Sequence, residues 1–147
     1  TKTISLKRLI ALSLKHKANL HPGTDMKILG PVVADLYDLD FSTTNRVKKA
    51  MQHLKNGGSI IANVGGDREG YTGVFSHGGH YVLLLSAGKD SICVLDPSLK
   101  EGNYEEPGRE GKVRLDAPFA YCSPELMEKE TDNRNPGFYL FSRKEPC

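Results

Sequence analysis

Apolar residues recur at helical spacing in the first part of the chain, and basic residues lie between them. A repeat of three to four residues is typical of an amphipathic helix with one buried face. A cap at Thr3 or Ser5 and an end near Asn19 are expected for this helix. Its buried face is predicted to comprise Leu6, Leu9, Ile10 and Leu14, and its solvated face Lys7, Arg8, Lys15 and Lys17.

Two further helices are predicted before the first strand. The second spans about residues 24–37 and begins at Thr24 or Asp25, with Pro31 either kinking it or marking its start. The third spans about residues 44–55 and ends at a pair of glycines. The expected inward residues are Met26, Leu29, Val33 and Leu36 in the second helix and Val47, Met51 and Leu54 in the third.

Apolar runs without helical spacing predict strands in the rest of the chain. The expected strands are residues 59–64, 80–86, 91–96, 113–115 and 137–142. A short helix is expected to begin at Ser123 and Pro124, where serine can cap and proline fits the first turn. Helices followed by mostly antiparallel strands are typical of an α+β fold. Residues 1–147 are long enough for one such domain with a single core.

One histidine and one aspartate mark the ends of neighbouring predicted strands. His80 opens the first strand and Asp96 closes the second. If residues 88–90 form a three-residue turn, Val82 lies opposite Asp96, and His80 is a diagonal neighbour of Asp96 on the same face. A two- or four-residue loop reverses the parity and sends Asp96 to the other face. A carboxylate on one ring nitrogen fixes the tautomer and leaves the other nitrogen free to accept a proton, so the pair predicts a general base.

Simpler interpretations compete with this one. A histidine before a strand is commonly a loop residue, and Asp96-Pro97 is a common way to end a strand. His77 and His80 are not expected to bind a metal, because they are separated by two glycines and no third ligand lies nearby. The Gly-rich loop after residue 64 lacks the Lys-Ser/Thr of a phosphate loop. We therefore expect neither a metal nor another cofactor.

Composition argues against two kinds of partner. The formal net charge is +2, and basic and acidic residues are interleaved, so nucleic-acid binding is not expected. No apolar run approaches the roughly 18 residues that a membrane-spanning helix needs. The three cysteines, Cys93, Cys122 and Cys147, have no metal-binding spacing.

Three segments carry a family resemblance, namely residues 54–62, 79–84 and 94–98. They resemble the papain-like cysteine peptidases of the bacteriocin-processing, double-glycine-leader type, and especially their stand-alone bacterial relatives. The resemblance covers roughly residues 2–98. It implies a papain-like fold, with N-terminal helices packed on a mainly antiparallel sheet. It also implies a Cys-His-Asp site in which His80 exchanges a proton with a thiol and Asp96 orients His80.

In that family the nucleophile lies on a helix near the N-terminus, just after a glutamine that binds the oxyanion. Neither residue is present here, so the nucleophile is expected upstream of Thr1. Cys93 should face away from Asp96, because three residues along a strand reverse the side. Cys122 is expected in a turn, and Cys147 is the last residue. None of the three is expected to substitute.

The resemblance leaves three functional classes open: a cysteine peptidase, a non-catalytic peptide-binding or regulatory domain, and a papain-like acyl transferase. The expected partner is a peptide or protein substrate. An extracellular or cell-surface location in a bacterium is favoured by analogy with the family. Without the nucleophile helix, we expect an apolar groove lined by Val82 and Leu84, through which the chain could self-associate.

Overall fold

The computed structural model describes residues 3–146. Four helices and seven strands lie within this range. The helices are α1 (Leu6–Lys15), α2 (Met26–Tyr37), α3 (Val47–Lys55) and α4 (Pro124–Thr131). The strands are β1 (Leu39–Thr44), β2 (Ser59–Val64), β3 (His80–Ala87), β4 (Ile92–Leu95), β5 (Arg114–Asp116), β6 (Phe119–Cys122) and β7 (Phe138–Arg143). None of the helices in this range is both long enough and apolar enough to cross a membrane.

The predicted α+β class is confirmed. The strands form one sheet in the order β1-β7-β2-β3-β4-β6-β5, and the pairs β2–β3, β3–β4, β4–β6 and β5–β6 are antiparallel. The chain divides into two compact units. One comprises the residues up to Phe41 together with those from Phe141 onward, and the other is Ser42–Leu140.

In the larger unit, alternate residues of the central strands build the core. Ile60, Ala62 and Val64 of β2 and Val82 and Leu84 of β3 are at most 1% exposed, because strand side chains alternate between faces. The predicted stripe of α3, Val47, Met51 and Leu54, is buried in the same cluster. The expected apolar groove at Val82 and Leu84 is therefore wrong, since α3 packs on β3 and this cluster covers both residues.

In the smaller unit, α1 is arranged differently from the prediction. It ends at Lys15 rather than near Asn19, and Ser5 caps its first turn through the amide of Arg8. Leu6, Ile10 and Leu14 are 73%, 52% and 59% exposed, so the predicted buried face of this helix is wrong. Of the predicted residues only Leu9 is half-buried, and it shares the less exposed side of α1 with Leu12 and Ser13.

Two strands were not predicted. β1 occupies residues 39–44, so Thr44 ends a strand and α3 begins only at Val47. β6 occupies Phe119–Cys122, and it places Cys122 in the sheet rather than in a turn. Most residues of β1 are polar, and β6 has only four residues, so neither strand gives the longer apolar or alternating pattern that predicts a strand.

The β3–β4 hairpin sets the position of the two candidate residues. Ala87 pairs with Ile92, so the connecting loop has four residues rather than the predicted three. The register shifts between Leu84 and Ser86, so that Leu83 pairs with Leu95. Such a bulge adds one residue to one strand. It restores the parity that the longer loop reverses, and Asp96 follows opposite Val82 as predicted.

Candidate functional site

His80 and Asp96 meet at the open end of the hairpin. Nε2 of His80 lies 2.8 Å from Oδ1 of Asp96. This contact confirms the predicted hydrogen bond between them on a shared face. The side chain of Asp96 is 1% exposed and that of His80 is 19% exposed. Among the described residues, Nδ1 of His80 has no hydrogen-bond partner, so this nitrogen is available to a reacting group.

The carboxylate of Asp96 is held by two further donors. The backbone amide of Ser98 donates to Oδ1 at 2.8 Å, and the hydroxyl of Tyr104 donates to Oδ2 at 3.1 Å. Burial of Tyr104, followed by the nearby negative charge of Asp96 and the hydrogen bond to it, raises the pKa of Tyr104 above its ordinary value of 10.0. The phenol therefore stays protonated and remains a donor. A buried carboxylate needs such partners, because burying an unpaired charge is costly.

The loop of residues 65–79 leads the chain into His80. Its two ends are joined where the amide of Asp67 donates to the carbonyl oxygen of His77 at 2.7 Å. Gly66 has a φ of +75°, and its α-carbon lies so close to the backbone of residues 77–79 that a β-carbon would clash there. Glycine is needed at this position for both reasons. The loop thus approaches its own end closely just before His80.

Glu130 anchors the middle of this loop from α4. Glu130 is fully buried, and its Oε1 accepts hydrogen bonds from the backbone amides of Val74 and Phe75, each at 2.9 Å. Oε2 accepts the hydroxyl of Tyr71 at 2.5 Å. Burial and the neighbouring carboxylate raise the pKa of Tyr71 above 10.0. Two amides and one phenol together satisfy a carboxylate that would otherwise be destabilising in the core.

Arg109 joins this loop to the segment that follows β4. The arginine is 4% exposed. Its Nε donates to the carbonyl oxygen of Gly73 at 2.8 Å and one terminal nitrogen donates to that of Asn103 at 3.1 Å. The guanidinium therefore holds two chain segments together, one leading to His80 and the other carrying Tyr104.

His77 bridges the same two segments at the surface. Its Nδ1 lies 2.8 Å from Asp67, and its Nε2 lies 2.7 Å from Glu106. The hydrogen bonds to Glu106 and Asp67 raise the pKa of His77 above 6.5. The hydrogen bond from the Gly73 amide and then that from His77 lower the pKa of Asp67, and the hydrogen bond from His77 lowers that of Glu106. Both ring nitrogens are occupied, so His77 is not placed to act as a base.

Neither of the two described cysteines has the features of a nucleophile. Cys122 is 4% exposed, and burial raises the pKa of its thiol to about 12, whereas reactive thiols have lowered values. Cys93 lies between the buried residues Ile92 and Val94 and faces the other side of β4, as alternation predicted. Cys147 lies outside the described residues.

Sequence reasoning missed Tyr104, Glu130, Arg109 and Asp67. Tyr104, Arg109 and Asp67 lie in polar loops, where no periodicity indicates which side chains are buried. Glu130 had a detectable signal, because it follows Met127 by three residues and so lies on the same face of α4 as that fully buried methionine.

Neither a metal-binding cluster among the described residues nor similarity to known proteins identifies the chemistry of the site. Within residues 3–146, no cluster of three or more His, Cys, Asp or Glu side chains is placed to hold a metal ion. Comparison with known proteins gives no match to a family model, to a curated protein or to a solved structure.

Proposed function

We propose that this chain carries the base and the orienting acid of a papain-like cysteine peptidase of the bacteriocin-processing type, whose nucleophile lies upstream of Thr1. The observation that carries the proposal is the 2.8 Å contact between Nε2 of His80 and buried Asp96, with Nδ1 left without a partner. Helix α3, packed on strands β2 and β3 of the antiparallel sheet, supports the papain-like fold.

In the proposed reaction, His80 handles one proton and Asp96 keeps its ring in place. A thiol gives its proton to Nδ1 of His80, and the resulting thiolate attacks the peptide carbonyl carbon. When the C–N bond breaks, Nδ1–H protonates the leaving amine and a thioester remains. Water then attacks the thioester and gives a proton to Nδ1, and the C–S bond breaks to release the acid and the thiolate. Asp96 stabilises the imidazolium that forms twice in this cycle.

The raised thiol pKa of Cys122 and the position of Cys93 on the other face of β4 place neither described cysteine as the nucleophile, and we expect no peptide hydrolysis by the present chain. A longer chain with an upstream cysteine should do so. Replacing His80 by alanine should abolish that activity, with a loss of roughly a hundredfold or more, because the general base is gone. His21→Ala is the matched control, since His21 is an exposed loop histidine.

The assay is release of amine from a fluorogenic peptide, with kcat and KM measured separately. Turnover by the present chain that survives His80→Ala would contradict the assignment. Peptide binding without turnover in the longer chain would instead indicate a non-catalytic peptide-binding domain. Transfer of the acyl group to an added amine in preference to water would indicate an acyl transferase.

A further inference from the structure

The second oxygen of Asp96 is held by a residue to which the proposed reaction gives no role. We propose that Tyr104 is a positioning residue that fixes the rotation of the Asp96 carboxylate and so keeps Oδ1 on Nε2 of His80. The catalytic consequence of this role rests on the function proposed above. The positioning itself concerns only atoms of the present chain.

The donors around Asp96 lie on different oxygens. Oδ1 receives Nε2 of His80 and the amide of Ser98, each at 2.8 Å, whereas Oδ2 receives the hydroxyl of Tyr104 at 3.1 Å. Rotation of an aspartate about its terminal torsion is broad and roughly two-fold, so a single hydrogen bond restrains it weakly. Donors on both oxygens together restrain the rotation of the Asp96 carboxylate. In the described residues, Tyr104 is the donor that serves Oδ2.

Tyr104 is itself firmly placed. It is 6% exposed, and its ring packs edge-on against Phe75 with a centroid separation of 5.7 Å and an angle of 76°. The carbonyl oxygen of the preceding residue, Asn103, accepts a hydrogen bond from buried Arg109. Arg109 also binds Gly73, two residues before Phe75. The hydroxyl is therefore aimed at Asp96 by packing and hydrogen bonding from both segments, as a preorganised site requires.

The role of the Tyr104 hydroxyl can be separated from that of its ring. Phenylalanine would fill the same space against Phe75, so packing alone does not require a tyrosine at position 104. The raised pKa of Tyr104 keeps the phenol protonated, and a protonated phenol donates rather than competes with His80 for the carboxylate. A purely structural role would be retained by Tyr104→Phe, whereas a positioning role would not.

The test uses the present chain labelled with 15N, and compares Tyr104→Phe with Tyr37→Phe. The hydroxyl of Tyr37 has no hydrogen-bond partner among the described residues, so its removal is a matched control. Imidazole 15N shifts report the tautomer of neutral His80. We expect the Nε2–H form in the wild type and in Tyr37→Phe, and at least a several-fold rise in the Nδ1–H form in Tyr104→Phe. An unchanged tautomer in folded Tyr104→Phe overturns the proposal.

A second measurement does not depend on the variant folding. In the wild type, the hydroxyl proton of Tyr104 should exchange slowly with water and show a nuclear Overhauser contact to the β-protons of Asp96. Absence of this nuclear Overhauser contact also overturns the proposal. In an Asp96→Asn background, Tyr104→Phe should change the His80 tautomer no further, because the tyrosine acts through Asp96.

Activity provides a separate readout. In a longer chain with the upstream cysteine, Tyr104→Phe should lower kcat about tenfold with KM nearly unchanged, the size of one hydrogen bond. If that longer chain proves inactive while the tautomer shift is observed, the proposed function fails and the positioning role stands. If it is active and Tyr104→Phe changes neither kcat nor the tautomer, the positioning role fails alone.

Discussion

His77 and His80 lie three residues apart, and both bind carboxylates, yet their surroundings differ. Asp96 is 1% exposed and serves one nitrogen of His80. His77 is 54% exposed and lies between Asp67 and Glu106, which are 48% and 43% exposed. Exposed ion pairs contribute little to stability, whereas loss of one partner from a buried pair is costly. The buried pair therefore fits the orienting role proposed for Asp96, whereas the exposed contact joins two loops.

The largest change in the free energy of unfolding is expected at Glu130, which anchors the loop that carries both histidines. Glu130→Ala removes the acceptor of two buried amides and one phenol on the loop that carries His77 into His80, and we expect a loss of about 3–4 kcal/mol in the free energy of unfolding. Glu128→Ala, on the exposed side of the same helix, should stay within about 0.5 kcal/mol. Urea denaturation measures both. Equal losses in the two variants would show that Glu130 does not anchor the loop.

A somewhat smaller effect should separate the two histidine sites. Asp96→Ala leaves three donors without their acceptor, and we expect a loss of about 2–3 kcal/mol in the free energy of unfolding. Asp67→Ala should cost clearly less, because it leaves only the part-buried Gly73 amide without its acceptor, whereas water can replace Asp67 at exposed His77. Chemical denaturation under identical conditions makes the comparison. The contrast between a buried pair and a surface contact would be lost if Asp67→Ala were the more damaging change.

The smallest effect is a dependence on pH at His77. Its folded pKa is raised above 6.5, so its contribution is complete below that value and is lost as pH rises through the folded pKa. The pKa values of Asp67 and Glu106 are lowered from 3.8 and 4.5, so their contributions are lost as pH falls through the lowered values. The contact should therefore be strongest between about pH 4.5 and 6.5.

Titration of His77 by NMR tests this window. The hydrogen bonds to Glu106 and then to Asp67 raise the pKa of His77, while nearby Arg109 lowers it. Glu106→Gln should move the midpoint of His77 down toward 6.5, the ordinary value, and Glu105→Gln, which changes an exposed neighbour, should leave it in place. High salt should also lower the midpoint, because exposed charges are screened. A wild-type titration midpoint of His77 at the ordinary value would contradict its contact with Asp67 and Glu106 in solution.

The sequence predicted the contact between His80 and Asp96, although the loop that connects their strands differs from the predicted one. The predicted neighbours His80 and Asp96 are in contact, but the turn holds four residues and a bulge compensates. A bulge depends on packing across the whole sheet, so no local pattern in β3 indicates it. The exposed stripe of α1 shows the same limit from the other side. Helical spacing identifies an apolar face, but it does not say whether the neighbouring elements cover that face.

The partners of the pair were harder to predict than the pair itself. Tyr104 and Arg109 lie in a polar segment where the chain has no regular structure, so only the folded chain shows that their side chains are buried. His80 and Asp96 could be found because a polar residue at the end of an apolar strand stands out from its surroundings. Residues within loops have no such background.

The bulge at Leu85 also separates the tip of the hairpin from its base. The pairs Ser86–Cys93 and Ala87–Ile92 beyond it follow a different register from Leu83–Leu95, and residues 88–91 at the tip are exposed. Exposed loop tips tolerate insertions well. Residues 88–91 therefore offer an attachment point for a fluorophore or a short epitope, at the far end of the hairpin from His80 and Asp96.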